Sequence, residues 1–410
     1  MSIILCSIAC TTTQTNDKVI DTDAKQRLNS TLEQFVTGNR VAGASALIFE
    51  KGEEVYFGAF GDANREADIK MDRNTIVQIY SMTKPITGTA LMQQYESGKF
   101  KLDDPLGKYL PEFNDLMVFE GLDEAGNPIL VEAKRPITIR DITRHTAGFA
   151  NDRSEPYLGE ILVKADPMNR ENTLSVFTKK LASVPLTFHP GEEWYYGPSV
   201  DVQARLVEVL SEQPFSDYVR EHILDPLGMS DTRYFVPEED LSRMASSFGK
   251  GENDELIQVP NSQAHSMNTR KWPLTPGGWG LTSTLDDYQT FAQMLVNEGT
   301  FNGVQILKSE TIQLMATNQL SDDVTERLWL PSKGQVGFGI DFAVRLAPPV
   351  DANENQGVVG EFFWDGAATT LFWVDPVNEL TAVLFVQIFP YDGTLHKDFR
   401  DAVYGQYSME

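Results

Sequence analysis

The chain predicts an α+β fold, an antiparallel β-sheet flanked by helices with a mainly helical second lobe. Three observations lead there. Strand-like runs occur near the beginning and again near the end of the 410 residues. A long middle region between them is rich in Pro, charge and helical spacing. Apolar residues make up 41% of the chain, enough for a substantial core. The simplest arrangement closes both ends into one sheet and lays the middle over it. Residues 24–100 and 281–410 then form the sheet domain, 101–280 the helical lobe, and 1–23 a signal and polar tether.

Taken in order, Ala24 to Thr37 carries apolar residues at helical spacing (Leu28, Leu32, Phe35, Val36). Ala42 to Phe49 and Glu54 to Gly61 read as two strands joined at Lys51-Gly52, a hairpin signal. Ser81 to Ser97 reads as a helix closed by Gly98, the residue that best tolerates a helix's left-handed exit. The middle region offers helices at Ile137 to His145, Thr173 to Ala182 and Ser199 to Leu210. It also holds a hairpin, Leu116 to Ala133, turning at Ala125-Gly126-Asn127-Pro128. Strands return at Gly337 to Arg345, Glu361 to Trp364, Thr369 to Val374 and Leu380 to Gln387. No internal repeat is present.

Composition excludes several functions. With 59 acidic against 34 basic residues the net charge is −25, the opposite of a nucleic-acid-binding surface. No apolar run is long enough to span a bilayer. Both cysteines, Cys6 and Cys10, fall in the first ten residues, so the globular part has no disulfide, thiol nucleophile or thiolate metal site. The five histidines (His145, His189, His222, His265, His396) show no His-Glu-x-x-His pattern, so neither a metal nor another cofactor is expected. His145 and His189 read as structural loop residues. Small residues before Cys10 are similar to a bacterial lipoprotein processing site, which implies export with a lipid anchor on Cys10. The protein is cytoplasmic if residues 1–10 are not a signal.

The richest stretch is Ser81-Met82-Thr83-Lys84. Residues three apart on a helix share a face, so the Lys84 amine can reach the Ser81 hydroxyl. Serine is a poor nucleophile without an adjacent base, and a lysine serves as one when burial and a helix N-terminus make its neutral form accessible. Ser247-Phe248-Gly249-Lys250 repeats the spacing, but in a Gly-rich polar stretch with no helix behind it. A second stretch, Trp194-Tyr195-Tyr196-Gly197-Pro198, ends a loop before a helix, where a tyrosine hydroxyl can project into a cleft. Tyr195 is read as a packing aromatic. A third, Phe362-Phe363-Trp364-Asp365-Gly366-Ala367, opens an apolar strand whose glycine allows close backbone approach. An edge strand there would offer an unpaired N–H to a developing oxyanion.

In this order the three stretches resemble the motifs of the serine β-lactamase and penicillin-binding-protein superfamily, and within it those of the class C-like family VIII carboxylesterases. The matching residues are Ser81 and Lys84, Tyr196-Gly197-Pro198, and Trp364-Asp365-Gly366 in place of Lys-Thr-Gly. Pro136 to Asp141, Arg144 to Phe149, His189-Pro190-Gly191 and Gly277 to Thr284 are also similar, and the likeness spans roughly Thr31 to Pro390. The resemblance implies a β-lactamase/transpeptidase-like fold and acyl transfer through Ser81. Lys84 and Tyr196 would relay the proton, and the backbone N–H groups of Ser81 and Ala367 would hold the oxyanion. Trp364, Asp365 and Gly366 would bind substrate. Pro198 stands where the family has Asn, and Trp364 where it has Lys. Without that lysine's charge, short neutral esters are expected over β-lactams or D-Ala-D-Ala peptides.

Several alternatives stay open. They are a β-lactamase, a D-Ala-D-Ala carboxypeptidase, an acyltransferase, and an inactive relative that only binds peptidoglycan or a partner. No Gly-x-Ser-x-Gly elbow supports an α/β-hydrolase.

Overall fold

The computed structural model describes residues 18–151 and 154–408, so Cys6 and Cys10 lie outside the described residues. Helix α1 (Thr22–Thr37) starts at Asp21, whose carboxylate accepts from the Ala24 N–H at 2.7 Å and so satisfies one of the amides that a helix start leaves unpaired. Strands β1 (Gly43–Glu50) and β2 (Glu53–Asn64) follow as an antiparallel hairpin. Its turn residues Lys51 and Gly52 both have positive φ, 54° and 76°, the conformation that matches strand twist. A short strand β3 (Ile69–Lys70) pairs with β2 and ends this side of the sheet.

The Ser-x-x-Lys segment follows. Tyr80–Met82 makes a 3-10 turn that runs into helix α2 (Thr83–Glu96), so Ser81 sits one turn before the α-helix proper. In the middle region the expected hairpin is present, Met117–Leu122 against Pro128–Glu132, its turn held by the Asp123 carboxylate accepting from the Ala125 and Asn127 amides. The helix expected over Ile137 to His145 is only Ile139–Thr143. It has a full capping box between Thr138 and Asp141, and the chain leaves it through His145 at φ 57°. Helix α3 (Pro156–Ala165) was not foreseen, and α4 (Ser199–Ser211) was.

Helix α5 (Leu285–Val296) opens the C-terminal part, its N-cap Thr284 accepting from the Asp287 amide. The single strand expected over Gly337 to Arg345 is two, β4 (Val336–Phe338) and β5 (Ala343–Arg345), which fold back on each other. Asp341 between them takes φ 60°, a left-handed turn that ends one strand and starts the next. Then come β6 (Phe362–Asp365), β7 (Leu371–Asp375), β8 (Leu380–Phe385) and helix α6 (Gly393–Tyr404).

These strands form one antiparallel sheet in the order β4-β5-β6-β7-β8-β1-β2-β3. β1 and β8 join the two ends of the chain, with Ala46 opposite Leu384. Nearly every residue of β1, β7 and β8 is buried although alternate side chains point to opposite faces, so both faces of the sheet are covered. Helix α1 packs against the N-terminal hairpin and α6 packs on α1, while α5 packs on β1, β7 and β8. Helix α2 is buried almost all round, wedged against α4 of the helical region. That wedge carries Ser81 to the seam between the sheet and the helices.

Candidate active site

Lys84 is 4% exposed. Its Nζ lies 3.2 Å from Ser81 Oγ and donates to the Gly278 carbonyl at 2.7 Å. The i, i+3 relation read from the sequence therefore brings the two side chains into contact, with the lysine held from behind. The other Ser-x-x-Lys is different: Lys250 Nζ donates to the carbonyls of Asn39 and Asp254. Tyr80, next to Ser81, has φ 45°, a strained conformation for an aromatic residue that sets the sharp entry to the turn.

Tyr196 ends the loop before α4. Lys84 Nζ sits 4.6 Å from the centre of its ring. Asn151 Nδ2 donates to the Tyr196 carbonyl at 2.5 Å and fixes the loop. The tyrosine hydroxyl accepts from Trp364 Nε1 at 3.3 Å.

Trp364 is expected from the sequence to form a wall against the substrate, but it is fully buried. Its indole stands behind Tyr196, between Phe338 and Trp329, with ring centres 5.5, 5.3 and 6.1 Å away. Its neighbour Asp365 forms a buried ion pair with Lys333, and Tyr391 Oη donates to the same carboxylate at 2.9 Å. Burial pushes the Asp365 carboxyl up, but the charges of Lys333 and His396 and these hydrogen bonds hold it below its ordinary range. A cation is therefore present beside the tryptophan, and a buried carboxylate neutralises it. Gly366 is needed for a close approach: a Cβ there would meet the Ile79 carbonyl oxygen at 2.6 Å, at the base of the nucleophile turn.

β6 is an interior strand of the sheet, not the edge strand expected, but its pairing with β5 stops at Phe363. Beyond that point it pairs with β7 alone through Asp365, and the Gly366 N–H donates to the Thr370 carbonyl; Ala367, next along, is exposed and its N–H makes no hydrogen bond among the described residues.

Ser81, Lys84, Tyr196 and Ala367 line one cavity of about 570 Å³, whereas Trp364, Asp365 and Gly366 do not reach it. Leu162, Val163, Met168 and Leu181, from α3 and the segments after it, form an apolar wall. Lys84 is the sole Lys or Arg lining this cavity among the described residues.

Three buried groups around Lys84 were not found from the sequence as site residues. Asp201, one turn into α4, accepts from the Gly278 N–H at 2.9 Å. Burial raises its carboxyl to about 6 against the opposing pull of the Lys84 charge and the Gly278 and Gly277 amides. A Cβ on Gly278 would come within 3.2 Å of both Lys84 Nζ and the Asp201 carboxylate, a tight contact that would push the two side chains apart by a few tenths of an ångström. Asp341, from the β4–β5 turn, accepts from Gln203 Nε2 at 3.0 Å, and burial drives its carboxyl far up. His145 is enclosed by the rings of Tyr196, Trp194 and Phe338, and burial, then the Lys84 charge, push it well below its usual value. A neutral histidine packed among aromatics agrees with the structural role read for it.

The beta-lactamase family model matches residues 28–405. Protein Rv1367c of Mycobacterium tuberculosis is 29% identical over 392 residues, 93% of each chain. Esterase EstB of Burkholderia gladioli is 29% identical over 403 residues, 93% of this chain and 95% of its own. Among solved structures, simvastatin synthase from Aspergillus terreus superposes with a TM-score of 0.80 at 22% identity, over 95% of this chain and all of its own.

Proposed function

The chain belongs to the beta-lactamase family, and from that premise we propose that it is a serine hydrolase that cleaves carboxylic esters with short acyl chains through an acyl-enzyme on Ser81. The observation that carries this reading is the buried Lys84 amine 3.2 Å from the Ser81 hydroxyl, facing a cavity with an apolar wall.

Ser81 Oγ attacks the ester carbonyl as its proton passes to Lys84 Nζ. The positive charge arising on Nζ is offset through space by the nearby Asp201 carboxylate, while the Gly278 carbonyl keeps the amine aimed. The N–H groups of Ser81 and Ala367 stabilise the oxyanion. Tyr196, against Lys84, delivers the proton to the leaving alcohol as the C–O bond breaks. Water then enters, loses a proton to the same pair, and frees the acid from Ser81. An alcohol in place of that water yields a new ester, so acyl transfer uses the same intermediate.

The lining argues against a carboxypeptidase or an efficient β-lactamase. Both substrates carry a carboxylate close to the scissile bond, and among the described residues Lys84 is the only basic side chain lining the cavity. EstB, by its name an esterase, supports the ester reading.

The test is labelling with a fluorophosphonate followed by intact-mass and peptide analysis, beside turnover of p-nitrophenyl butyrate, nitrocefin and a D-Ala-D-Ala peptide. An adduct on Ser81 that Ser81→Ala abolishes and Ser247→Ala leaves, with the ester turned over fastest, is expected. No turnover of any substrate, or an adduct on Ser247, refutes the assignment.

A further inference from the structure

A second cavity, of about 460 Å³, adjoins the first. Trp279 lines both, and the loop after α3 contributes Met168 to one and Arg170 to the other. Two residues of extended chain span at most about 7 Å, so the backbone positions that line the two cavities lie close together here.

The second cavity differs in charge. Arg170, Arg220, Arg233, Arg270 and Lys271 line it, against the carboxylates of Asp217 and Asp225. Most of these charges are already matched. Arg220 pairs with Asp217 and Asp225, Arg233 with Asp231 and Asp240, and Arg270 with Glu171 at 2.9 Å. Arg170 and Lys271 have no acidic partner among the described residues, in a chain with a net charge of −25. Both lie against aromatic faces: the Arg170 guanidinium is 4.5 Å from the centre of the Trp272 ring, and the Lys271 ammonium 5.3 Å from that of Phe235. Arg270 covers the other contact on Trp272, at 4.2 Å. Stacking restrains the cations without neutralising them, which leaves their charge for a ligand.

We propose that this second cavity receives the anionic end of the substrate, a carboxylate carried on an apolar chain some way from the ester, met by Arg170 and Lys271. The substrate class is thus an ester with a distal carboxylate, a deepening that rests on the ester-cleaving reading of Ser81. It is compatible with a first cavity lined by Lys84, Asp166 and Asp201, because the anion lies beyond Trp279 and away from the scissile bond.

Two experiments test it. In the first, octanoate and octanamide are titrated calorimetrically into Ser81→Ala protein, with and without Arg170→Gln and Lys271→Gln together. Octanoate should bind more tightly than octanamide, more weakly as salt rises, and about tenfold more weakly when both cations are gone. Lys271→Gln alone, at an exposed side chain, provides the same reading should loss of the Arg170 stack disturb the fold. In the second, kcat/KM is compared within two pairs. The mono-p-nitrophenyl ester of suberate is set against p-nitrophenyl octanoate, and the butyrate ester of ω-hydroxyoctanoate against that of its primary amide.

Preference for the anion in either pair, shrinking toward one in the double variant, supports the proposal and shows which side of the ester faces the second cavity. Equal binding of octanoate and octanamide, or an anion preference untouched by the double variant, overturns it. If octanoate binding depends on Arg170 and Lys271 while no ester is turned over, the site stands and the esterase reading falls.

Discussion

Trp364→Phe separates two roles for the tryptophan that occupies the third motif. In the structure it is a buried ring whose N–H steadies the Tyr196 hydroxyl, and it does not reach the cavity. Phenylalanine keeps an aromatic ring beside Tyr196, Phe338 and Trp329 but removes the donor 3.3 Å from the hydroxyl. A net intramolecular hydrogen bond contributes about 0.5–1.5 kcal/mol. At about 1.4 kcal/mol per factor of ten, kcat should fall between about twofold and about tenfold, with KM little changed. The smaller ring should also lower stability by about 1–3 kcal/mol, the ordinary cost of a partly filled core site. Trp364→Lys should not convert the enzyme into a β-lactamase. It would bury an unpaired ammonium next to Lys333, at a cost of several kcal/mol, and the protein should lose its cooperative unfolding transition. The assay is kcat and KM for p-nitrophenyl butyrate, with urea unfolding of all three proteins. A raised KM with unchanged kcat in Trp364→Phe, or a well-folded Trp364→Lys with a gain toward nitrocefin, would return the indole to the substrate wall and refute this reasoning.

Lys84→Ala and Tyr196→Phe should each lower kcat by about 10²–10⁴-fold, and the double variant should be little worse than the worse single, because one relay is lost only once. Multiplicative losses in folded proteins would separate the two residues. Asp201→Asn should lower kcat and remove an acid limb near pH 6: the wild-type carboxyl titrates at about 6, and protonation there takes away the charge that offsets the proton arriving on Lys84. A limb unchanged in the variant would assign it elsewhere. Asp287, which accepts from the Asp231 amide at 2.8 Å, is raised by burial to about 6, so the native state binds its proton more tightly than the unfolded chain. Stability should therefore fall as pH rises from about 4 to about 6 and level off above, by up to about 3 kcal/mol. Asp287→Asn, compared with wild type by urea unfolding across that range, should lose this slope, and an identical slope in both would locate it in other groups.

Ser81 and Lys84 were legible in the chain because the information about them is local. A spacing of three along a helix puts Lys84 beside Ser81 whatever surrounds them, whereas Tyr196 is told from Trp194 and Tyr195 only by its place in a motif that resembles the family's. The Lys51-Gly52 turn specified the N-terminal hairpin in the same local way, and short apolar runs marked β6, β7 and β8. What stayed hidden depends on contacts between distant parts of the chain. Strand residues buried on both faces carry no alternation that tells which side meets the substrate, so Trp364 could be placed only once Tyr196, Trp329 and Phe338 had packed around it. Asp365 is drawn from any substrate role by Lys333, 32 residues upstream. Lys84 takes its hydrogen-bond acceptor from Gly278, 194 residues away, and the charge near it from Asp201 in another helix. Helix α3, with an apolar face that completes the cavity, has no partner within its own segment to announce it. Backbone periodicity and spacing place a nucleophile beside its base. The charge, walls and exclusion of water that make the pair reactive exist only where the sheet and the helical region close on each other, because burial is a property of neighbours and not of residue order.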